Sequence, residues 1–213
     1  MTHAPRLILA STSATRQQML RQAGVPFTTD TPRVDEAMLR DSLQAEGASL
    51  EDAVAALAEA KAMSVARRLD HGQALVLGAD SIAAVTMTAA ADGSAGDMWL
   101  EKASDRAMAR QVLDRLNGRT HRLASGAVVV RGDTAIWRHV AVTRLTMRQC
   151  SATFLEAYLD RLGEAAFDTV GCYHLERQGA QLFSRVDGDL FTVLGLPLLP
   201  VLGFLREHGV IDT

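Results

Sequence analysis

Hydrophobic positions along the chain fall into short continuous runs, which read as buried strands, and into stretches with apolar residues three and four apart, which read as helices. Leu7 to Ala10 is the first run. It ends in Ser11-Thr12-Ser13 and passes into the amphipathic Arg16 to Ala23, giving strand, loop and helix, with Gly24 at the helix C-terminus. Val25 to Thr29 is expected to form a second strand, stopped by Pro32. Val34-Asp35-Glu36 opens a polar stretch. Helical pattern resumes after Ser49, with Glu51 and Asp52 in a first turn that favours negative charge. Val54, Leu57, Ala58, Ala62 and Val65 form the apolar stripe of that helix. Gln73 to Ala79 holds Leu75-Val76-Leu77, the pattern of a central strand, and ends in Gly78-Ala79-Asp80-Ser81. Ile82 to Met87 reads as a separate strand.

Thr88 to Asp97 is small and polar with two glycines, a hairpin-like connection or mobile loop rather than a domain linker. Ser104 is placed to cap a helix that runs to Leu116 and stops at Asn117-Gly118. His121 to Arg131 and Thr134 to Met147 are expected as long strands joined at Gly132-Asp133. Ser151 to Leu162 is helical, Gly171 to Leu175 and Gln181 to Val186 read as strands, and Pro197 to His208 is an apolar helix. No internal repeat is present. Irregular alternation with an inserted hairpin indicates an α/β fold with a mixed sheet and flanking helices.

The 213 residues suffice for a single domain or for two lobes sharing a core, and one domain spanning 1–213 is the expectation. The formal net charge of -3 provides no basic field to gather nucleic acid, so an anionic ligand would need local positive groups. Cys150 and Cys172 form no metal-ligand cluster and are expected to be free and buried in a reducing compartment. The start of the chain lacks the basic and apolar regions of a secretory signal, and no apolar run approaches the roughly 18 residues of a membrane span. A cytoplasmic protein without membrane contact is the resulting expectation.

Several residues could carry chemistry. Ser11-Thr12-Ser13 with Arg16 makes an anion site at a helix start, or an ordinary capped helix with a surface arginine. Asp35-Glu36 could hold a hard cation, or cap a helix in solvent. Lys61 lies on the apolar stripe, four residues from both Leu57 and Val65, and must snorkel, find a partner or face a cleft. Asp80 follows an apolar strand, at the sheet end where open α/β folds place ligands. Lys102 follows Trp99-Leu100-Glu101, and a lone lysine is ordinarily solvated. Asp168 to Glu176 reads as a turn and strand with a polar tip. His121, His139 and His174 lack metal-ligand spacing and are expected to be structural or superficial. No serine occupies a nucleophile elbow, and no Gly-rich phosphate loop occurs.

The order of these segments resembles the Maf family over about residues 6 to 206. Leu7-Ile8-Leu9-Ala10-Ser11-Thr12-Ser13-Ala14-Thr15-Arg16 with Met19-Leu20 is similar to the family's Leu-Ala-Ser-x-Ser-Pro-Arg-Arg-x-x-Leu-Leu. Val34-Asp35-Glu36 matches its acidic pair, Leu57-Ala58-Glu59-Ala60-Lys61-Ala62 its Leu-Ala-x-x-Lys-Ala, and Gly78-Ala79-Asp80-Ser81 its Gly-Ala-Asp-Thr. Leu100-Glu101-Lys102-Ala103, Leu116 to His121, Gly171 to Glu176 and Gly195-Leu196-Pro197 match later motifs. The chain departs from the pattern at Ala14 and Thr15, where proline and arginine are usual, at Thr169-Val170, where Lys-Ala is usual, and at Glu176, where the common branch has glutamine.

The resemblance implies an inosine-triphosphatase-like fold, elongated, with a cleft between two lobes and often homodimeric. It implies hydrolysis of nucleoside triphosphates to the monophosphate and pyrophosphate. Asp80, Lys61 and Lys102 would be the catalytic residues, Asp80 activating water or sharing in metal binding and the two lysines holding the triphosphate. Glu36 and Asp80 would hold a divalent metal cation, Mg or Mn, and Ser11, Ser13 and Arg16 would bind the triphosphate. Glu176 is shared with the branch that acts on 7-methylguanosine triphosphate, although that branch has tryptophan at the position of Thr15. A carboxylate accepts from the N1–H and N2–H₂ edge of guanine, which points Glu176 at the base. A second reading is a nucleotide-binding regulator of septum formation with little turnover. The retained Asp80, Glu36 and lysines argue against it.

Overall fold

The computed structural model describes residues 5–69, 74–88 and 95–212. The centre of the expected Thr88–Asp97 connection and the first residue of the expected Gln73–Ala79 strand lie outside them. In chain order the elements are β1 (Leu7–Ala10), α1 (Ala14–Gln22), β2 (Thr28–Asp30), α2 (Glu36–Ala45), α3 (Leu50–Ala66), β3 (Leu75–Thr88) and β4 (Ala95–Leu100). There follow α4 (Arg106–Leu116), β5 (Thr120–Arg131), β6 (Thr134–Met147), α5 (Ala152–Leu162), β7 (Phe183–Asp187), α6 (Leu190–Val193) and α7 (Leu198–Glu207).

Among the described residues seven strands form one mixed sheet in the order β2-β1-β3-β5-β6-β7, with β4 also paired to β3. β1 runs parallel to both β2 and β3, whereas β3–β4 and β6–β7 are antiparallel. The expected mixed α/β fold with flanking helices is what forms. The chain divides into two compact units. The first comprises the described parts of Met1–Ser81, Ala124–Val142 and Leu190–Thr213, and the second Ile82–Leu123 and Thr143–Asp189.

In the first unit the alternation of side chains along the strands sorts residues onto two faces. Leu7, Leu9, Leu75, Leu77, Ala79, Ala127 and Val129 pack with Met19 and Leu20 of α1 and with Val201 and Leu205 of α7. Ile8, Ala10, Val76, Val128 and Val130 pack against Ala58, Ala62 and Val65 of α3. The helix α3 approaches the sheet closely because glycines lie beneath it. A Cβ on Gly78 would stand 2.1 Å from the Ala58 carbonyl oxygen and 2.8 Å from the Ala62 nitrogen, and one on Gly126 would stand 3.0 Å from the Val54 carbonyl oxygen.

The second unit buries Leu113 and Leu116 of α4, Leu155, Tyr158 and Leu159 of α5, and Leu123, Leu145 and Leu182. His121 lies in this core, its Nε2 2.8 Å from the Tyr173 hydroxyl, and burial lowers its pKa to about 4. It is the structural histidine that the sequence suggested. Both cysteines are free and buried, also as expected. Outside the core, Arg106 and Arg110 of α4 pair with Glu156 and Asp160 of α5.

Several boundaries differ from the sequence reading. The second strand is Thr28–Asp30 rather than Val25–Thr29. The polar stretch from Glu36 is a helix, capped by Asp35 and without a buried residue, so no apolar stripe announces it. Helix α4 is capped by Asp105, not Ser104, whose hydroxyl instead donates to the Asp105 carboxylate. Gly171 to Leu175 is not a strand but an irregular segment that begins with Gly171 and Cys172 both at positive φ, 88° and 57°. The two strands expected on either side of Asp80 are one continuous β3, so Gly78-Ala79-Asp80-Ser81 lies within a strand. The end that matters belongs to β1: its pairing with β3 stops at Ala10↔Gly78, and Asp80 lies two residues beyond.

Gly78→Ala would force α3 off the sheet by a backbone clash. Overpacking of this kind costs about 1–3 kcal/mol, so the variant is expected to unfold at a clearly lower urea midpoint. A midpoint equal to that of the unmodified chain would show that α3 does not rest on Gly78.

Candidate active site

Alternation along β3 places Gly78 and Asp80 on the face that α3 covers, and Ser81 on the face of α1 and α7. Lys61 on α3 follows from that placement. It is 6 % exposed, and its Nζ lies 3.2 Å from Asp80 Oδ2 and 2.8 Å from Glu36 Oε2. Of the three fates open to a lysine on an apolar stripe, it has found partners. Glu36 is the first residue of α2, where a carboxylate also meets the positive end of the helix. Its side chain is half exposed, whereas Asp80 is buried. Asp35 takes the capping role and accepts from the Met38 amide at 3.0 Å, which leaves Glu36 alone of the acidic pair facing Lys61.

Asp80 Oδ1 accepts from the Ser81 amide at 2.8 Å. Oδ2 is buried and, despite the nearby ammonium, receives no hydrogen bond of acceptable geometry. A buried carboxylate oxygen without a donor retains lone pairs for a ligand.

Arg16 approaches the other side of the same strand. Its Nε donates to the Gly195 carbonyl at 2.7 Å and one Nη donates to Ser81 Oγ at 3.2 Å. Ser125 Oγ lies 2.8 Å from Ser81 Oγ and donates to the Thr192 carbonyl at 2.7 Å, so the Ser81 hydroxyl is the one that donates between them. Burial pulls the Arg16 pKa below its ordinary value, and the Asp80 and Glu36 carboxylates oppose that shift. Gly195 sits at φ +98, and a Cβ there would crowd Ser81 Oγ at 3.2 Å and the Arg16 guanidinium at 3.3 Å. That site therefore requires glycine.

The hydroxyls before α1 are partly committed to the helix start. Ser13 Oγ accepts from the Arg16 amide at 3.4 Å, and Ser11 Oγ accepts from the Ser13 amide at 3.2 Å. Each hydroxyl still has its own proton to donate, so capping and anion binding are compatible.

Arg16, Glu36, Lys61, Asp80, Ser11 and Ser13 all belong to the first unit, and the ion pairs and Coulombic contacts above join the four charged members. Lys102 and Glu176 belong to the second unit. Lys102 is exposed and its backbone forms a bridge with Val170. The Glu176 carboxylate meets His174 Nδ1 at 3.3 Å. Ser125 and the carbonyls of Thr192 and Gly195 were not singled out from the sequence. Ser125 was legible: a hydroxyl in the apolar run Leu123 to Val130 must find a partner when buried. The carbonyls carry no sequence signal.

Among the described residues no group of three or more His, Cys, Asp or Glu side chains could hold a metal ion by itself. The two carboxylates available, Glu36 and Asp80, suit a hard cation that takes its remaining ligands from water and phosphate. The donorless Asp80 Oδ2 fits that use.

Comparison with known proteins places this arrangement. The family model described as Maf-like protein matches residues 6–208. The chain is 47% identical over 207 residues to a nucleoside triphosphate pyrophosphatase of Rhodospirillum rubrum, covering 97% of this chain and 96% of the relative. It is 45% identical over 209 residues to a 7-methyl-GTP pyrophosphatase of Rhizobium meliloti, covering 98% and 99%. A solved dITP/XTP pyrophosphatase from Mycobacterium abscessus is similar at 15% identity and a TM-score of 0.37 over 69% of this chain and 76% of that one, too weak a likeness to add anything. The match along almost the whole length carries the assignment: the chain belongs to the Maf-like family.

Proposed function

We propose that this chain hydrolyses nucleoside triphosphates to the monophosphate and pyrophosphate, as the names of its relatives suggest. The observation that carries the reading is a buried carboxylate, Asp80, held between Lys61 and the field of Arg16, with one oxygen lacking a donor. A structural ion pair would be better satisfied. In this reading Asp80 orients the water that attacks the α-phosphorus or shares in holding the metal. Lys61 is ion-paired to Glu36 and Asp80 and has N–H groups to offer a ligand, and Arg16 has three of its five left after Gly195 and Ser81. These donors meet the negative charge that builds on the phosphate oxygens as pyrophosphate leaves.

The charges of Arg16 and Lys61 are balanced by those of Glu36 and Asp80, so the cluster alone cannot neutralise a triphosphate. Lys102 is the further cation that the resemblance assigns to the triphosphate. Glu36 and Asp80 are the residues that would hold Mg or Mn, which when bound supplies further positive charge to the phosphates. With substrate and the unmodified chain plus magnesium, pyrophosphate is the expected first product. Asp80→Asn should lower turnover by ~10²–10⁴-fold. Orthophosphate as first product, or an Asp80→Asn variant that is folded and nearly fully active, would contradict the reading.

Relatives of both names match this chain to a similar degree, so the base preference has to be read from residues. We assign it to Glu176. A carboxylate only accepts, which suits the donor edge of a guanine and the positive charge of a 7-methylguanine, and opposes the carbonyls of thymine and uracil. The expectation is a preference for 7-methylguanosine triphosphate over thymidine and uridine triphosphates. Glu176→Gln should move the ratio of kcat/KM values towards the pyrimidines. An unchanged ratio would remove Glu176 from base recognition.

A further inference from the structure

His174 lies two residues before Glu176 in the irregular segment that replaces the expected strand. That segment is heavily constrained. Gly171 and Cys172 both take positive φ, and for Cys172 this is a conformation rare outside glycine. The Thr169 hydroxyl donates to the Tyr173 carbonyl at 3.0 Å, and the Arg177 amide to the His174 carbonyl at 3.1 Å. Gly179 packs so closely that a Cβ there would stand 2.4 Å from the His174 carbonyl oxygen. A non-glycine residue held at positive φ by several surrounding bonds marks a place where geometry outranks local stability.

The imidazole of His174 makes two contacts. Nε2 lies 2.9 Å from the Ala165 carbonyl oxygen, and Nδ1 lies 3.3 Å from Glu176 Oε1. A carbonyl oxygen only accepts, so Nε2 must carry a proton. In the neutral ring that leaves Nδ1 as a lone pair facing a carboxylate oxygen, two acceptors with nothing between them. The contact is a hydrogen bond only with the ring as an imidazolium, which donates from both nitrogens and pairs with the carboxylate. The histidine side chain is 11% exposed and the glutamate 31%, so the less exposed ring lies against a carboxylate that reaches solvent.

We infer that His174 is a specificity-positioning residue: held by the Ala165 carbonyl, it donates from Nδ1 to Glu176 Oε1 and fixes the carboxylate in the orientation that meets the base. This rests on the reading of Glu176 as the group that meets the base. The donated hydrogen bond leaves Oε2 and the remaining lone pair of Oε1 for the two adjacent donors of a guanine. Without it the carboxylate would swing about its side-chain torsions and discriminate less. His174 touches no substrate in this scheme and acts through Glu176.

The test uses the full chain and the ratio of kcat/KM for 7-methylguanosine triphosphate to that for thymidine triphosphate. His174→Ala should lower the ratio about tenfold, the factor that corresponds to 1.4 kcal/mol of lost discrimination, with a larger change in KM than in kcat. His174→Asn places an amide N–H near the position of Nδ1 and should restore most of the ratio, although it loses the bond to Ala165. A purely structural role would lower both substrates equally and would not be rescued by asparagine. If Glu176→Gln shifts the ratio and His174→Ala does not, the inference fails and the reading of Glu176 stands. If His174→Ala shifts the ratio and asparagine fails to restore it, a donor at Nδ1 is not the cause and the inference fails. If Glu176→Gln leaves the ratio unchanged, the reading of Glu176 fails and the inference falls with it. Should His174→Ala not fold, the asparagine variant alone decides: a ratio far below that of the unmodified chain contradicts the inference.

Discussion

A lysine ammonium sealed between a sheet and a helix must have its charge answered within a few ångströms, and the first unit is arranged around that requirement at Lys61. Taking ions out of water costs several kcal/mol each, and good geometry is needed to offset it. Asp80 supplies one countercharge from β3 and Glu36 the other from the first turn of α2. The distances hold only because α3 lies on Gly78 and Gly126 with almost no space between backbones. Replacing such a cluster with apolar residues of similar volume is commonly neutral or stabilising. A buried Lys61–Asp80 pair is therefore weak evidence of stabilisation, which agrees with the catalytic use proposed for it.

The two-residue period of a strand does the rest. Asp80 and Ser81 are neighbours in sequence but serve opposite faces of the sheet. One meets Lys61 on the α3 side. The other receives Arg16 from α1 and passes a hydrogen bond through Ser125 to the Thr192 carbonyl. The guanidinium is fixed at Nε by the Gly195 carbonyl, from the turn that precedes α7. One strand thus gathers residues from three helices and from a turn far along the chain, without a cysteine or a disulfide to hold them.

Much of this was legible before any coordinates. Continuous apolar runs gave β1 and the first half of β3, and Ser49 with Glu51 and Asp52 marked the start of α3. Residue types also gave the members of the charged cluster, since a lysine on an apolar stripe and an aspartate after an apolar strand both demand explanation. The sequence could not show that β3 continues through Asp80, because Ala79 to Ser81 breaks the apolar run while still satisfying a strand on both faces. Nor could it show α2, a helix without a buried side. Gly171 to Leu175 misled for the opposite reason: its residues suit a strand, but two successive positive φ values bend the chain away from one. The carbonyls that hold Arg16 and His174 are invisible in any sequence, because every residue has one.

The claim that the Lys61–Asp80 pair exists for catalysis and not for stability is tested most directly by the double variant Lys61→Met with Asp80→Asn. It removes one charge of each sign and leaves Arg16 opposed by Glu36. Its urea midpoint and its rate of pyrophosphate release should be measured together with those of both single variants. The expected result is a double variant at least as stable as the unmodified chain, singles less stable than the double, and turnover lowered by ~10²-fold or more. A double variant several kcal/mol less stable than the unmodified chain, or one that still releases pyrophosphate at a comparable rate, would contradict it.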